Sequence, residues 1–116
     1  MFKLSTLLII LALLFSTSLF AKSPNLHLKA VSKVTYECNQ KNKVIASYYT
    51  LSDDSLSFVK LSFKNHYYTL PQIVSASGAR YSDLHEVEWW NKGDQATFTT
   101  LYEEPKNNSF TCIERK

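Results

Sequence analysis

From residue 34 to the C-terminus the chain is a run of short alternating segments, each cut off by turn residues before a helix could form. Residues 34–38 read V-T-Y-E-C, with Val34, Tyr36 and Cys38 alternating against Thr35 and Glu37. Residues 44–51, 56–63 and 66–70 follow, rich in β-branched and aromatic side chains, then 80–83, 86–90, 96–102 and 110–114. Polar turns separate them at 39–42, 52–55, 64–65 and 105–108. Pro71 should end the fourth strand or put it on an edge, with 72–75 continuing after a bend. Short strands at roughly 8–12-residue spacing with turn signals between them mark an all-β sandwich or barrel. No segment carries a 3.6-residue apolar period. In so short a chain, closing the sheet on itself removes the edges most economically. The expected fold is therefore all-β, a small antiparallel β-barrel of about eight strands.

The first 21 residues stand apart. Lys3 precedes an apolar run over 4–20 interrupted by small hydroxyls, and Ala21 suits the position before a cleavage site. This is the pattern of a secretory signal peptide. The run is short of the ~20 apolar residues that span a bilayer, and no charged stop follows it, so no stable membrane anchor is expected after cleavage. No cysteine stands near the cleavage point to accept a lipid, which predicts a soluble exported protein. Residues 22–33 contain a proline and little periodicity and are expected to form an irregular N-terminal arm, with the barrel domain over 34–116.

Export implies an oxidising compartment, where the two cysteines, Cys38 and Cys112, allow one intramolecular pairing. A domain of this size buries only about 60–65% of its unfolded surface, so such a staple matters. There is no C-x-x-C and no clustering of the three histidines. No metal or other cofactor is expected.

Of thirteen Lys and Arg, Lys3 falls in the leader, leaving twelve against ten Asp and Glu. The cations gather toward the chain ends, at Lys22, Lys29, Lys33, Lys41 and Lys43 and again at Lys106, Arg115 and Lys116, while 44–104 is acidic. A nucleic-acid face needs cations interleaved with aromatics on one surface, whereas the strand holding Trp89 carries Glu86 and Glu88. Nucleic acid is therefore not an expected partner. The sequence leaves the oligomeric state open.

Both glycines of the chain, Gly78 and Gly93, fall in two loops, S-A-S-G-A-R-Y-S at 75–82 and W-N-K-G-D-Q-A at 90–96. Glycine is the default residue where the backbone turns through positive φ. The chain runs out from Gly78, turns near Leu84 and returns to Gly93, which places both loops at one end of the sheet. N-K-G-D is a tight-turn sequence that should leave Lys92 at the tip, pointing outward, with Ser77 exposed beside its own glycine. Enzyme readings fail on geometry. Ser77 lacks the G-x-S-x-G elbow and a following helix. A serine–lysine pair needs a buried, neutral lysine, and nothing in the spacing ties His66 or His85 to Asp83 or Glu86. Paired aromatics such as Tyr48-Tyr49, Tyr67-Tyr68 and Trp89-Trp90 should each send one ring inward and one outward.

These motifs, with Y-x-C at 36–38 and L-P-Q at 70–72, resemble the bacterial inhibitors of C-type lysozyme over about residues 34–113. The resemblance implies an eight-stranded antiparallel barrel with one disulfide, no catalytic activity of its own, and C-type lysozyme as protein partner. It implies that Ser77 and Lys92 enter the lysozyme cleft, with Gly78, Gly93 and Ser75 in the same two loops and Tyr81 as a supporting contact or loop brace. A free periplasmic protein that shields its producer's peptidoglycan from host lysozyme is the expectation. The alternative is an envelope barrel that kept the fold without inhibition and binds a small ligand or envelope component. Two departures from the family pattern are a slightly longer hairpin between the motifs, with two tryptophans, and a mildly basic overall charge.

Overall fold

A computed structural model describes residues 25–39, 41–101 and 108–116. The expected leader over 1–21, the start of the arm, Tyr102 and most of the turn at 105–108 lie outside the described residues. Eight strands follow in chain order: β1 (Leu28–Cys38), β2 (Asn42–Leu51), β3 (Ser57–Phe63), β4 (His66–Ile73), β5 (Ala79–Ser82), β6 (Val87–Lys92), β7 (Gln95–Thr100) and β8 (Asn108–Glu114). Each pairs antiparallel with its neighbours in sequence, and β1 meets β8 to close the barrel. Among the described residues there is no helix long and apolar enough to cross a membrane.

The two-residue alternation read from the sequence is the barrel's inside and outside. Val44, Ala46, Val59, Leu61, Leu70, Val87, Trp89 and Phe98 are all at most 2% exposed. Register brings them together in rungs, such as Ala46 opposite Leu61 and Val59 opposite Leu70. Trp89 meets Tyr36 edge-on, with ring centroids 5.0 Å apart. Each of the larger side chains contributes about 1.5–3 kcal/mol when fully buried. As expected, the aromatic pairs split: Trp89 lies inside with Trp90 half-buried outside, and Tyr67 stands out while Tyr68 packs on the core.

Cys38 and Cys112 form the disulfide and sit directly opposite each other in the closing ladder. That ladder is short. It runs over three pairs, Tyr36–Glu114, Glu37–Ile113 and Cys38–Cys112, against ten for β1 with β2. The covalent bond thus stands at one of the barrel's two thinnest junctions, the other being the two-pair ladder between β4 and β5.

One strand boundary differs from expectation. β1 begins at Leu28, so the arm expected over 22–33 is strand from that residue on, paired with β2 from Leu28–Leu51 through a bulge between Ala30 and Ser32. Its side chains here are exposed, because β8 lies alongside only the far end of the strand. A strand with one partner and no inward face shows no apolar alternation. Pro71 lies within β4, opposite Phe58, at a point where β5 has not yet begun to pair; β5 joins at Gln72. A residue without an N–H is tolerated where one edge of the strand is open.

The β5–β6 turn is built by Asp83 and Ser82. The Asp83 carboxylate accepts the backbone N–H groups of His85, Glu86 and Val87 at 2.8–3.2 Å. Leu84 takes positive φ, as the expected turn there requires, and donates its N–H to Ser82 Oγ. Burial opposes the charge on Asp83, but the three donors outweigh it and hold the carboxyl below the usual carboxylate range.

Candidate functional site

The hairpin register decides how the two glycine loops meet. Ala79 lies opposite Asn91, so Gly78 falls beside Lys92. Both glycines have positive φ, 65° at Gly78 and 63° at Gly93. They differ in their surroundings. A Cβ on Gly78 would overlap the Asn91 carbonyl oxygen and come within 2.9 Å of Lys92 Cγ, whereas one on Gly93 would meet nothing within 4 Å. Gly93 is needed for its conformation, and Gly78 also because it lies directly against the Asn91–Lys92 backbone.

Trp90 ties the two loops together. Its indole Nε1–H donates to the Ser77 carbonyl oxygen at 2.9 Å. Its ring carries the Lys92 ammonium 4.5 Å from the centroid and the Arg80 guanidinium at 5.2 Å. Arg80 is itself held by Glu88 at 2.6 Å. Ser75 Oγ donates to the Gly78 carbonyl and braces the loop from within. The Ser77 side chain is exposed at the surface. Lys92 is exposed too, but it folds back over Trp90 along the outer wall instead of projecting from the tip. Strand alternation puts residues 90 and 92 on one face, and the ring's negative face attracts the ammonium.

On the inner face the residue before Lys92 is clamped. Asn91 Oδ1 accepts from Tyr48 Oη at 2.8 Å, and its Nδ2 donates to Tyr36 Oη at 2.9 Å. Trp89 Nε1 donates to Tyr48 Oη, and the two hydroxyls lie 3.3 Å apart. Side chains from β1 and β2 therefore reach across the barrel to fix the start of the Lys92 turn. Burial pushes the Tyr48 phenol well up, with the Trp89 donor opposing and Tyr36 adding to the shift. The Tyr48 phenol is therefore a neutral donor at physiological pH. Tyr81 also faces inward, 7% exposed, with its ring 5.7 Å from that of Tyr48. Burial, then the nearby Tyr48, raises its phenol as well. In this position Tyr81 braces the hairpin from inside and presents almost no surface.

The structure thus places Ser75, Ser77, Gly78, Lys92 and Gly93 on one rim, with Tyr81 beneath. Trp90 and Asn91 join the site, although the sequence reading gave neither a role. The signal for Trp90 was the doubled tryptophan two residues before a lysine, and for Asn91 its place in the inward set with Val87 and Trp89. The disulfide, remote in sequence, lies close in the ladder: Asn91 pairs with Ala96, Ala96 with Cys112, and Cys112 with Cys38. The Glu114 N–H also donates to the carbonyl of Asp94 in the turn.

Among known families, the model described as MliC, membrane-bound lysozyme-inhibitor of c-type lysozyme, matches residues 36–107 and so spans both loops. Among solved structures the chain is similar to Pseudomonas aeruginosa MliC, crystallised in complex with hen egg white lysozyme. The TM-score is 0.61 at 24% identity, over 86% of this chain and 97% of that one, a likeness that shows the fold. No curated protein matches the sequence.

Proposed function

The chain belongs to the MliC family of c-type lysozyme inhibitors, and from that premise we propose that it blocks the enzyme by inserting the Ser77 loop and the Lys92 turn, side by side, into the active-site cleft. The observation that carries this reading is their packing: Gly78 lies against the Asn91–Lys92 backbone, and Trp90 contacts both loops.

C-type lysozyme works with two carboxyl groups, one kept protonated by its apolar surroundings and one ionised. A plug for such a cleft needs a cation for the ionised group and a hydrogen-bonding hydroxyl for its partner. Lys92 and Ser77 supply them from adjacent positions. Lys92 must first leave the face of Trp90, and an exposed cation–π contact is worth only about 0.5–1 kcal/mol. Truncating one member of a desolvated, hydrogen-bonded charge pair costs roughly 2–5 kcal/mol, so the cleft competes well for the ammonium. The loops are held before the partner arrives, by Trp90 outside and Asn91 inside, which limits the entropy lost on binding. The wall around them, β5–β7 and its turns, carries Asp83, Glu86, Glu88 and Asp94 against Arg80 and Lys92. Its negative balance favours encounter with a basic enzyme.

On this reading the protein acts by occupying a catalytic site and performs no reaction itself. The leader takes it to the periplasm, where the barrel oxidises and closes. Both cysteines of the chain are in the disulfide, so neither carries a lipid, and the protein acts there as a free inhibitor. Titrating lysozyme with the purified protein tests the reading. The parent should inhibit stoichiometrically, and Lys92→Ala should weaken inhibition at least ~30-fold, mainly through faster dissociation. A folded Lys92→Ala variant that inhibits as well as the parent rules out loop insertion.

A further inference from the structure

The outer wall of β1–β4 has a chemistry unlike the rest of the barrel. It holds a groove of about 300 Å³ lined chiefly by Lys33 and Lys60, Tyr49 and Tyr67, and Ser47 and Ser62. Register explains the arrangement. Ser47 pairs with Lys33 on one side and Lys60 on the other, so the three form one row across β1, β2 and β3. Strands are about 4.8 Å apart, which puts the two lysine stems roughly 10 Å apart with a hydroxyl between them. Ser62 pairs with Tyr67 in the neighbouring rung.

No carboxylate lines this groove. The ion pairs among the described residues involve Lys29, Arg80 and Arg115, and neither Lys33 nor Lys60. Two like charges on one face without a counter-ion repel, and an anion between them relieves that cost. The aromatics add a second requirement. Tyr67 is 71% exposed, with the Lys60 ammonium 5.9 Å from its ring. Tyr49 is stacked on Phe58, centroids 5.3 Å apart and planes 20° off parallel, forming a flat plate at the groove's edge. A ligand that satisfies the whole set has an anionic group, hydroxyls or amides within reach of serine and tyrosine hydroxyls, and an apolar ring face to lie on an aromatic. A sugar acid has all three. Two cations are too few for a polyphosphate backbone, whose binding grows with the number of phosphates neutralised.

We propose that this groove binds an acidic saccharide, a segment of glycan carrying a carboxylate. β2 and β3 lie four strands from β6 and β7 in a closed barrel of eight, and Tyr67 sits at the start of β4, the end away from the 74–78 loop, so the groove and the Ser77–Lys92 rim are separate surfaces. Both can be occupied at once. Combined with the inhibitor reading, on which this consequence alone rests, the groove holds the protein on the polymer that lysozyme attacks and raises its local concentration there.

The test is a titration of the oxidised protein, followed by amide NMR, with peptidoglycan-derived N-acetylhexosamine oligomers bearing lactyl carboxylates. Neutral chitohexaose is the matched control. Saturable shifts are expected at Ser47, Lys60, Ser62 and Tyr67, with affinity at least ~10-fold above that for chitohexaose and falling with added salt. Lys33→Glu with Lys60→Glu should weaken the acidic oligomer at least ~10-fold, as charge reversal in the groove demands, and leave lysozyme inhibition within about twofold of the parent. Equal affinity for the neutral oligomer overturns the proposal. So do shifts confined to the Ser77–Lys92 rim, absence of saturation, or a preference for anionic phospholipid vesicles over the acidic oligomer. A parent that inhibits lysozyme without these shifts refutes the groove alone, and one that shows the shifts without inhibiting refutes the inhibitor reading alone.

Discussion

Replacing each of the two glycines by alanine separates backbone strain from loop placement. At Gly93 the only obstacle is conformational: φ is 63° and no atom stands within 4 Å of a new Cβ. Holding an alanine in the left-handed region costs roughly 1–2 kcal/mol. At Gly78 the same strain applies, with φ at 65°, and the methyl also overlaps the Asn91 carbonyl, a backbone atom fixed in the β5–β6 ladder. The loop must lift away. Lifting it breaks the Trp90–Ser77 hydrogen bond, worth about 0.5–1.5 kcal/mol, so Gly78→Ala should lose roughly 2–3 kcal/mol of stability in total. The larger difference should appear in binding. A displaced Ser77 forfeits its contact in the cleft, about 1–2 kcal/mol or roughly 5–30-fold in affinity. Gly93→Ala, with the ladder on both sides intact, should inhibit within about threefold of the parent, a difference of well under 1 kcal/mol. Thermal melts give the stability terms, and a lysozyme activity titration at low temperature gives the binding terms. If folded Gly78→Ala inhibits as well as Gly93→Ala, the close approach of the two loops is not what makes the inhibitory surface.

Ser77→Ala should cost about 1–2 kcal/mol of lysozyme affinity, and the double variant with Lys92→Ala should lose less than the sum of the two, because both side chains address one carboxyl pair; additivity in the cycle would place them on independent targets. Converting Cys38 and Cys112 together to serine removes a constraint worth roughly 4 kcal/mol on the chain-entropy model, which should lower the melting temperature by about 15 °C or more. Inhibition at low temperature should survive, since β6 and β7 still hold the Lys92 turn, and its loss in a folded variant contradicts this. Asp83→Ala should destabilise the barrel at pH 7. Its folded-state pKa lies below the unfolded value, so its contribution is present above the unfolded pKa, about 3.9, and is lost as pH falls through the folded one. Melts at pH 7 and pH 3 should show the gap between variant and parent closing at low pH, and an unchanged gap refutes the role given to the carboxylate.

The barrel was legible because its inner face is written in plain alternation. Val44 and Ala46, or Val87 and Trp89, declare their strands without help from neighbours. Leu28, Lys29, Ser32 and Lys33 declare nothing, because that half of β1 is solvated and takes its structure from β2. Pro71 left two readings open, a strand end or an open edge, and the edge holds because β5 starts to pair only at Gln72. At the site, counting residues between two glycines was enough to bring Ser77 and Lys92 to one rim. It could not show that Trp90 binds a carbonyl across the hairpin, or that Asn91 reaches Tyr36 and Tyr48. Those contacts follow from register and from closure of the barrel, and neither is a local property of the sequence. Tyr81 was ambiguous for the same reason: beside Arg80 in a short strand, either residue could have faced inward.

The short ladder between β1 and β8 has a kinetic consequence. Every other strand pairing joins neighbours in sequence, so the molecule is seven hairpin steps and one long-range closure. Folding rates fall as contacts become more distant along the chain, and here nearly all of that distance is concentrated in the seam. Once Cys38 and Cys112 are joined, the one remote link exists before folding begins. The oxidised chain has only nearest-neighbour pairings left to find, and it should fold with the speed of a hairpin array, while the reduced chain must search for its own end.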